Sequence, residues 1–443
     1  MNNHNLTSGS IIKKVALFAI PLLIGSVIQQ LYNTVDLLFA GNLINASASA
    51  AIGASSQLIT CMVGFFSGLG VGCGVIASQY FGAKDKDSLG KAVHNAMALA
   101  LLGGVILIVF GFCFAPLYFS LVNVPEYLLD TALGYIRIYF LSIVSTLIYD
   151  LGTGLLRAMG DSRSTLTAQL LGGLMNVVMD FLFIRVFGFG VTGIAWATLV
   201  SQTFAALVVV IKLRKVESEY RLEFRRIRLY GDMTKEVLRI GVPAGSQILV
   251  IALSNVFAHY HINSLGYETI VAFTAYFKIE LLIYYPIVAL GQAAMTFAGQ
   301  NAGAGNMKRV RKGTSTILIF SIFIAEIISI VAFLLCRTLF GFFCQEEEII
   351  SLGAKLITVT FPFYWIYCIL QVLGDSMRGL GHTRAPMLII MANICVVRTI
   401  LLYLIVPAWL DIRAIGVTYP ITWFLAAVGM TIYYLGYYKK NQV

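Results

Sequence analysis

Apolar residues fall into long blocks along nearly the whole chain, separated by short polar stretches. A helix of about 20 apolar residues crosses roughly 30 Å of hydrocarbon. Twelve blocks reach that length: residues 13–40, 50–80, 92–115, 127–158, 165–187, 191–212, 237–264, 268–300, 314–337, 347–378, 385–406 and 414–437. Several are longer than one crossing requires, so their helices must tilt, kink or project beyond the bilayer. The pattern predicts an all-α integral membrane protein with twelve transmembrane helices.

The pattern is also written twice. Arg157-Ala158-Met159-Gly160-Asp161-Ser162-Arg163 recurs 221 residues later as Arg378-Gly379-Leu380-Gly381-His382-Thr383-Arg384. At the same offset, Ser78-Gln79-Tyr80-Phe81-Gly82-Ala83 recurs as Gly299-Gln300-Asn301-Ala302-Gly303-Ala304. Ile20-Pro21 corresponds to Val242-Pro243. Three landmarks in one order predict two pseudo-symmetric six-helix bundles: an N-lobe over 1–212, a linker over 213–236 and a C-lobe over 237–443. In so apolar a chain, duplication marks transporters whose halves enclose a site.

Composition excludes an ordinary soluble protein. The chain is 59% hydrophobic and 12% charged, where soluble domains carry about 25% charge. The net charge of +10 is distributed by topology: alternate loops, the termini and the linker hold 24 of the 31 Lys and Arg. The positive-inside rule then places the chain in the cytoplasmic membrane, multi-pass, with both termini and the linker cytoplasmic. Nucleic acid is not an expected partner. Lys13-Lys14 open the first block, which shows no small-residue cleavage site, so that block is read as a retained helix. The linker suits either a segment lying on anionic lipid headgroups or a solvated tether. The seven cysteines are scattered without a close pair, so no metal or redox site is implied. With no nucleophile–base constellation either, the chain reads as neither an enzyme nor a cofactor protein.

Charges at bilayer depth cost about 2.5–3.5 kcal/mol each on insertion scales, which makes them functional candidates. Asp36 and Tyr32 are i,i+4 in the first block, and Asn176 and Asp180 repeat that spacing in the fifth. Each pair therefore shares a helix face. Thr198 in the sixth block can add a hydroxyl. Pro21, fifteen residues before Asp36, removes a backbone hydrogen bond and permits a bend. Two carboxylates brought together out of water can share a proton. With amide, hydroxyl and phenol oxygens they also suit a hard monovalent cation such as Na⁺, and the residues leave that choice open. Secondary polar candidates are Arg137, Lys278, Glu280, Asp375 and Arg398. Asp150 lies near the cytoplasmic end of its block, either solvated or paired with Arg157, and Glu326 faces lipid or pairs with Arg398.

Pro21, Tyr32-Asn33-Thr34-Val35-Asp36, the stretch from Gly299, the doubled Arg-x-x-Gly-x-x-Arg and Asn176-x-x-x-Asp180 together resemble the multidrug and toxic compound extrusion (MATE) family, over essentially the whole chain. The resemblance implies two lobes around a central cavity, and export of organic cations and other amphipathic small molecules by antiport against H⁺ or Na⁺, with no cofactor. It implies a monomer in the lipid bilayer. It marks Tyr32, Asp36, Asn176, Asp180 and Thr198 as an N-lobe cation site, with Na⁺ at Asp36 and Asp180 if the ion is a metal, and Pro21 as the place where the first helix bends. The spacing resembles the DinF-like branch, because no Asp or Glu lies between Pro243 and His259, where the NorM-like branch has one. Aromatic and sulfur side chains such as Phe65, Phe66, Met175, Tyr284 and Tyr285 are candidates for a cavity wall suited to flat cations. The alternative is a flippase for lipid-linked oligosaccharide or lipid within the wider superfamily. It calls for several cavity cations, and only Arg137, Lys278 and Arg398 are available.

Overall fold

The computed structural model describes residues 5–217 and 219–441. The outermost residues of the expected lobes and Ser218 of the linker lie outside them. Among the described residues there is no strand, and eleven continuous helices plus one bent pair carry the apolar blocks. The first six are α1 (Ile11–Phe39), α2 (Ala46–Ala83), α3 (Lys86–Leu121), α4 (Glu126–Leu141 with Ile143–Ala158), α5 (Ser162–Val186) and α6 (Val191–Arg214). The second six are α7 (Gly231–Ser264), α8 (Tyr267–Gly303), α9 (Met307–Leu334), α10 (Glu347–Gly379), α11 (Arg384–Ala408) and α12 (Ile412–Lys440). The chain is a multi-pass membrane protein. On α9, Ile319, Phe323, Ile327, Ile330 and Leu334 are all exposed, a face that only hydrocarbon can cover.

The fourth block, read as one helix over 127–158, is bent by 46° at Ser142. Side-chain hydroxyls cause the break. Ser142 Oγ donates to Tyr139 O (2.6 Å), and Thr146 Oγ1 donates to Ser142 O (3.1 Å). Hydroxyls that take up backbone carbonyls bend helices. At the repeat-related place in α10 a 3₁₀ turn, Phe361–Phe363, interrupts the helix at Pro362, which has no N–H to give.

The loops show the duplication at atomic level. Gly160 and Gly381 both have left-handed backbone (φ 85° and 86°). Each glycine N–H donates 2.8 Å to the carbonyl of the arginine three residues earlier, Arg157 and Arg378. Lys84 (φ 58°) and Gly305 (φ 71°) occupy the next equivalent position. The residues that follow them, Asp85 and Asn306, cap α3 and α9 by accepting from Ser88 N and Arg309 N at 3.0 Å. A side-chain oxygen at that position satisfies an otherwise unpaired helix donor.

The chain gathers into two compact units. One is Ile20–Leu249; the other is Leu6–Ala19 with the chain from Val250 onward. In the first unit the glycine run of α2 serves two faces. A Cβ at Gly68 would meet the backbone of Gly245, and one at Gly72 would lie 2.6 Å from Val237 O, both on α7. On the other face, a Cβ at Gly154 of α4 would lie 3.0 Å from Gly70 O. Only small residues permit such backbone approach. In the second unit, α8, α10 and α12 enclose a core built on Tyr276, Phe361, Tyr364 and Trp423.

The linker is not a free tether: it is seated on α3. Tyr220 and Leu222 are buried. Glu223 N donates to His94 Nε2 (3.0 Å), and Tyr230 N and Thr234 Oγ1 donate to Asn95 Oδ1 (2.9 and 2.7 Å). Lys86 pairs with Glu217 and Glu219 at 3.3 and 2.8 Å. Burial raises the Tyr220 phenol to about 12, with the Glu217 charge adding to it and Lys86 opposing it.

Candidate functional site

Four polar positions from two distant helices come together inside the first unit. Tyr32 and Asp36 stand one turn apart on α1, as do Asn176 and Asp180 on α5. The Asp36 and Asp180 side chains are close enough to act on one another directly. Asp180 and Asn176 are buried, at 0% and 3% exposure. Just beyond the acids the chain widens into π turns, Ala40–Ile44 directly after α1 and Leu182–Val186 at the end of α5, and the two turns pack together. Such turns recur at functional sites because the extra residue re-aims the side chains beside it.

A cavity of about 540 Å³ opens on this cluster. Tyr32 and Asp36 line it from α1, Asn176 from α5 and Thr198 from α6, while Asp180 lies off the wall against Asp36. Gly173 admits the Tyr32 ring, since a Cβ there would come within 3.0 Å of it. Thr198 Oγ1 spends its proton on Ile194 O (3.0 Å) and retains lone pairs to offer. Asp36 Oδ1, both Asp180 oxygens and Asn176 Oδ1 are buried with no hydrogen-bond partner among the described residues. Buried oxygens without donors are costly and call for an explanation. A proton shared by the carboxyls, or a hard cation ringed by these oxygens, supplies one.

The other wall of the cavity holds Asp150, bonded to Ser67 and not ion-paired with Arg157 as one reading expected, together with residues that sequence reading passed over. Ser67 Oγ of α2 donates to Asp150 Oδ2 of α4 (2.7 Å). Tyr149 Oη donates to Gln169 Oε1 (3.0 Å), and Gln169 Nε2 donates to Gln29 Oε1 (3.2 Å). The rings on the wall are Tyr32, Tyr135, Tyr139 and Tyr149; Phe65, Phe66 and Met175 do not line it. A run of tyrosines on one helix, Tyr135, Tyr139 and Tyr149, was the available signal.

The secondary polar candidates do not join this site. Arg137 and Lys278 are exposed. In the second unit, Glu280 accepts from Tyr364 Oη, and Asp375 pairs with Arg378 while accepting from Gln371 Nε2 (2.7 Å). Arg398 is buried, donates to Thr422 Oγ1 (3.0 Å from Nη2) and lies 4.3 Å over the Tyr419 ring. It does not pair with Glu326, whose buried Oε1 has no hydrogen-bond partner among the described residues. Pro21 is buried within a helix that runs through it. No group of three or more His, Cys, Asp or Glu is placed to hold a metal ion among the described residues.

A duplicated bundle of membrane-spanning helices with an oxygen-rich acid pair inside it defines a membrane transporter. The MatE family model matches the chain twice, over residues 21–182 and 243–404, and the chain belongs to that family of bacterial MATE transporters, which are not enzymes. It is similar to the probable multidrug resistance proteins YpnP (28% identical, covering 98% of this chain and 97% of the relative) and YoeA (26%, covering 98% and 96%) of Bacillus subtilis strain 168. Its fold matches a crystal structure of MATE in the straight conformation with a TM-score of 0.92, at 21% identity over 99% of each chain.

Proposed function

We propose that this protein is a secondary-active multidrug exporter of the cytoplasmic membrane, which exchanges organic cations and other amphipathic compounds for H⁺ or Na⁺ by alternating access. Its lobes are 1–212 and 237–443, joined by 213–236, and its termini are cytoplasmic. The observation that carries the reading is the Asp36–Asp180 pair, two carboxyl groups facing one another beside a cavity with unpartnered oxygens. In this reading Tyr32, Asp36, Asn176, Asp180 and Thr198 hold the coupling cation. Asp36 and Asp180 carry the charge, while Asn176, Thr198 and Tyr32 supply neutral oxygens. Entry of the cation from outside relieves the repulsion between the carboxylates, α1 bends at Pro21, and bound drug leaves. Loss of the cation to the cytoplasm restores the charged pair and resets the carrier. One elementary charge crossing 100 mV contributes about 2.3 kcal/mol, enough to bias the cycle more than tenfold. The multidrug resistance proteins of B. subtilis support an exporter by their names, and nothing comparable supports the flippase alternative.

The test is ethidium transport in everted vesicles under an imposed pH gradient or an imposed Na⁺ gradient. Gradient-driven uptake that disappears in Asp36→Asn is the expected result, and the effective gradient names the ion. Uptake that survives in Asp36→Asn removes the proposed site. No uptake under either gradient in the wild type removes the exporter reading.

A further inference from the structure

The cavity of the first unit has two acidic stations. Asp36, with Asp180 against it, forms one; Asp150 forms the other, from α4. Their surroundings differ in kind. Asp36 has a second carboxyl group to share a proton or a metal cation with. Asp150 has a neutral hydroxyl, Ser67 Oγ at 2.7 Å, donated from a helix 83 residues away in sequence. Its direct partner is Ser67 and not Arg157, which stands seven residues further along the same helix and acts on it only through space. A carboxylate bonded to a neutral hydroxyl has no direct ion-pair partner, and a cation entering the cavity supplies one.

The wall around Asp150 suits an organic cation better than a bare ion. Tyr139 and Tyr149 line the cavity beside it, and aromatic faces attract cations that are only weakly hydrated. The volume of about 540 Å³ lies within the range that receives drug-sized ligands. Tyr32 and Tyr139 line the same cavity as both acids, so the two stations share one wall. Resting on the exporter reading above, we infer that Asp150 is the counter-ion for the positive charge of the transported drug, held in place by Ser67 and separate from the coupling pair. Its place in the cavity makes it a determinant of charge specificity: it selects monocations over neutral molecules of the same shape. A coupling cation at Asp36 then repels the drug cation at Asp150 within one cavity, which is the antagonism that an antiporter needs.

The experiment measures binding of tetraphenylphosphonium and of its uncharged relative triphenylphosphine oxide to the purified full chain in lipid nanodiscs. Asp150→Asn keeps the shape of the side chain and its bond to Ser67, and its melting temperature reports whether it folds. The expected result is that Asp150→Asn weakens tetraphenylphosphonium binding by about tenfold or more and leaves triphenylphosphine oxide within about twofold, with Asp150→Glu recovering part of the loss. Unchanged tetraphenylphosphonium affinity in Asp150→Asn overturns the assignment while leaving the exporter reading intact. Equal loss of both probes also overturns it, because the residue is then only structural. A wild type that binds neither probe overturns the assignment and the exporter reading together.

Discussion

The two units are copies of one sequence pattern, yet the acid pair of α1 and α5 and the acids of α8 and α10 are treated in opposite ways. In the first, Asp36 and Asp180 face each other, and three of their oxygens have no donor. In the second, Asp375 is paired with Arg378 and Gln371, Glu280 is capped by Tyr364, and Arg398 rests on Thr422 and Tyr419. An acid satisfied by its own protein is structural; an acid left with a like charge and a cavity is built to exchange its partner. Duplication supplied the frame twice, and side-chain chemistry made the halves unequal.

The largest expected effect is on Asp36. Asp36→Asn or Asp180→Asn should reduce gradient-driven ethidium transport by at least about 100-fold, while the melting temperature holds or rises because a like-charge pair has been relieved. Vesicle transport and thermal unfolding read the two halves of that statement. The comparison then predicts the reverse for Asp375→Asn. Removing one partner of a buried ion pair should cost about 3 kcal/mol of stability and lower the melting temperature by several degrees, with the ion dependence of transport retained. A coupling defect in properly folded Asp375→Asn would collapse the distinction between the units.

Smaller effects probe the loops. Lys84 holds a left-handed backbone that its repeat partner fills with Gly305. Lys84→Gly should therefore stabilise the protein by about 0.5–1 kcal/mol in denaturant unfolding, and Gly305→Lys should cost at least as much. Asp411, in the loop before α12, has its carboxyl held below the usual range by hydrogen bonds and charge from Arg413. A depressed carboxyl contributes stability above its unfolded value of about 3.9, and that contribution is lost as pH falls through the folded value. Asp411→Asn should thus cost well under about 1 kcal/mol at pH 7 and nothing measurable near pH 2, since the pair is partly exposed. Thermal unfolding at the two pH values checks it.

Much of this was readable before any coordinates. The spans, the duplication and the i,i+4 pairs Tyr32/Asp36 and Asn176/Asp180 follow from spacing alone, because a helix converts sequence separation directly into a shared face. The break in α4 was not readable, since it depends on two hydroxyls choosing backbone carbonyls over lipid or water. Nor was the docking of the linker on His94 and Asn95, polar residues that the apolar count of α3 absorbs.

The sequence by itself determined that this is a twelve-span, duplicated membrane protein with acids placed inside several of its helices, because hydrophobic length and local periodicity are properties of neighbouring residues. Only the tertiary structure decided which acids meet. Asp36 and Asp180 are 144 residues apart, and Ser67 and Asp150 are 83 apart. Their encounters depend on how α1 packs with α5 and α2 with α4, and that packing is set by glycine contacts and π turns that no linear pattern encodes.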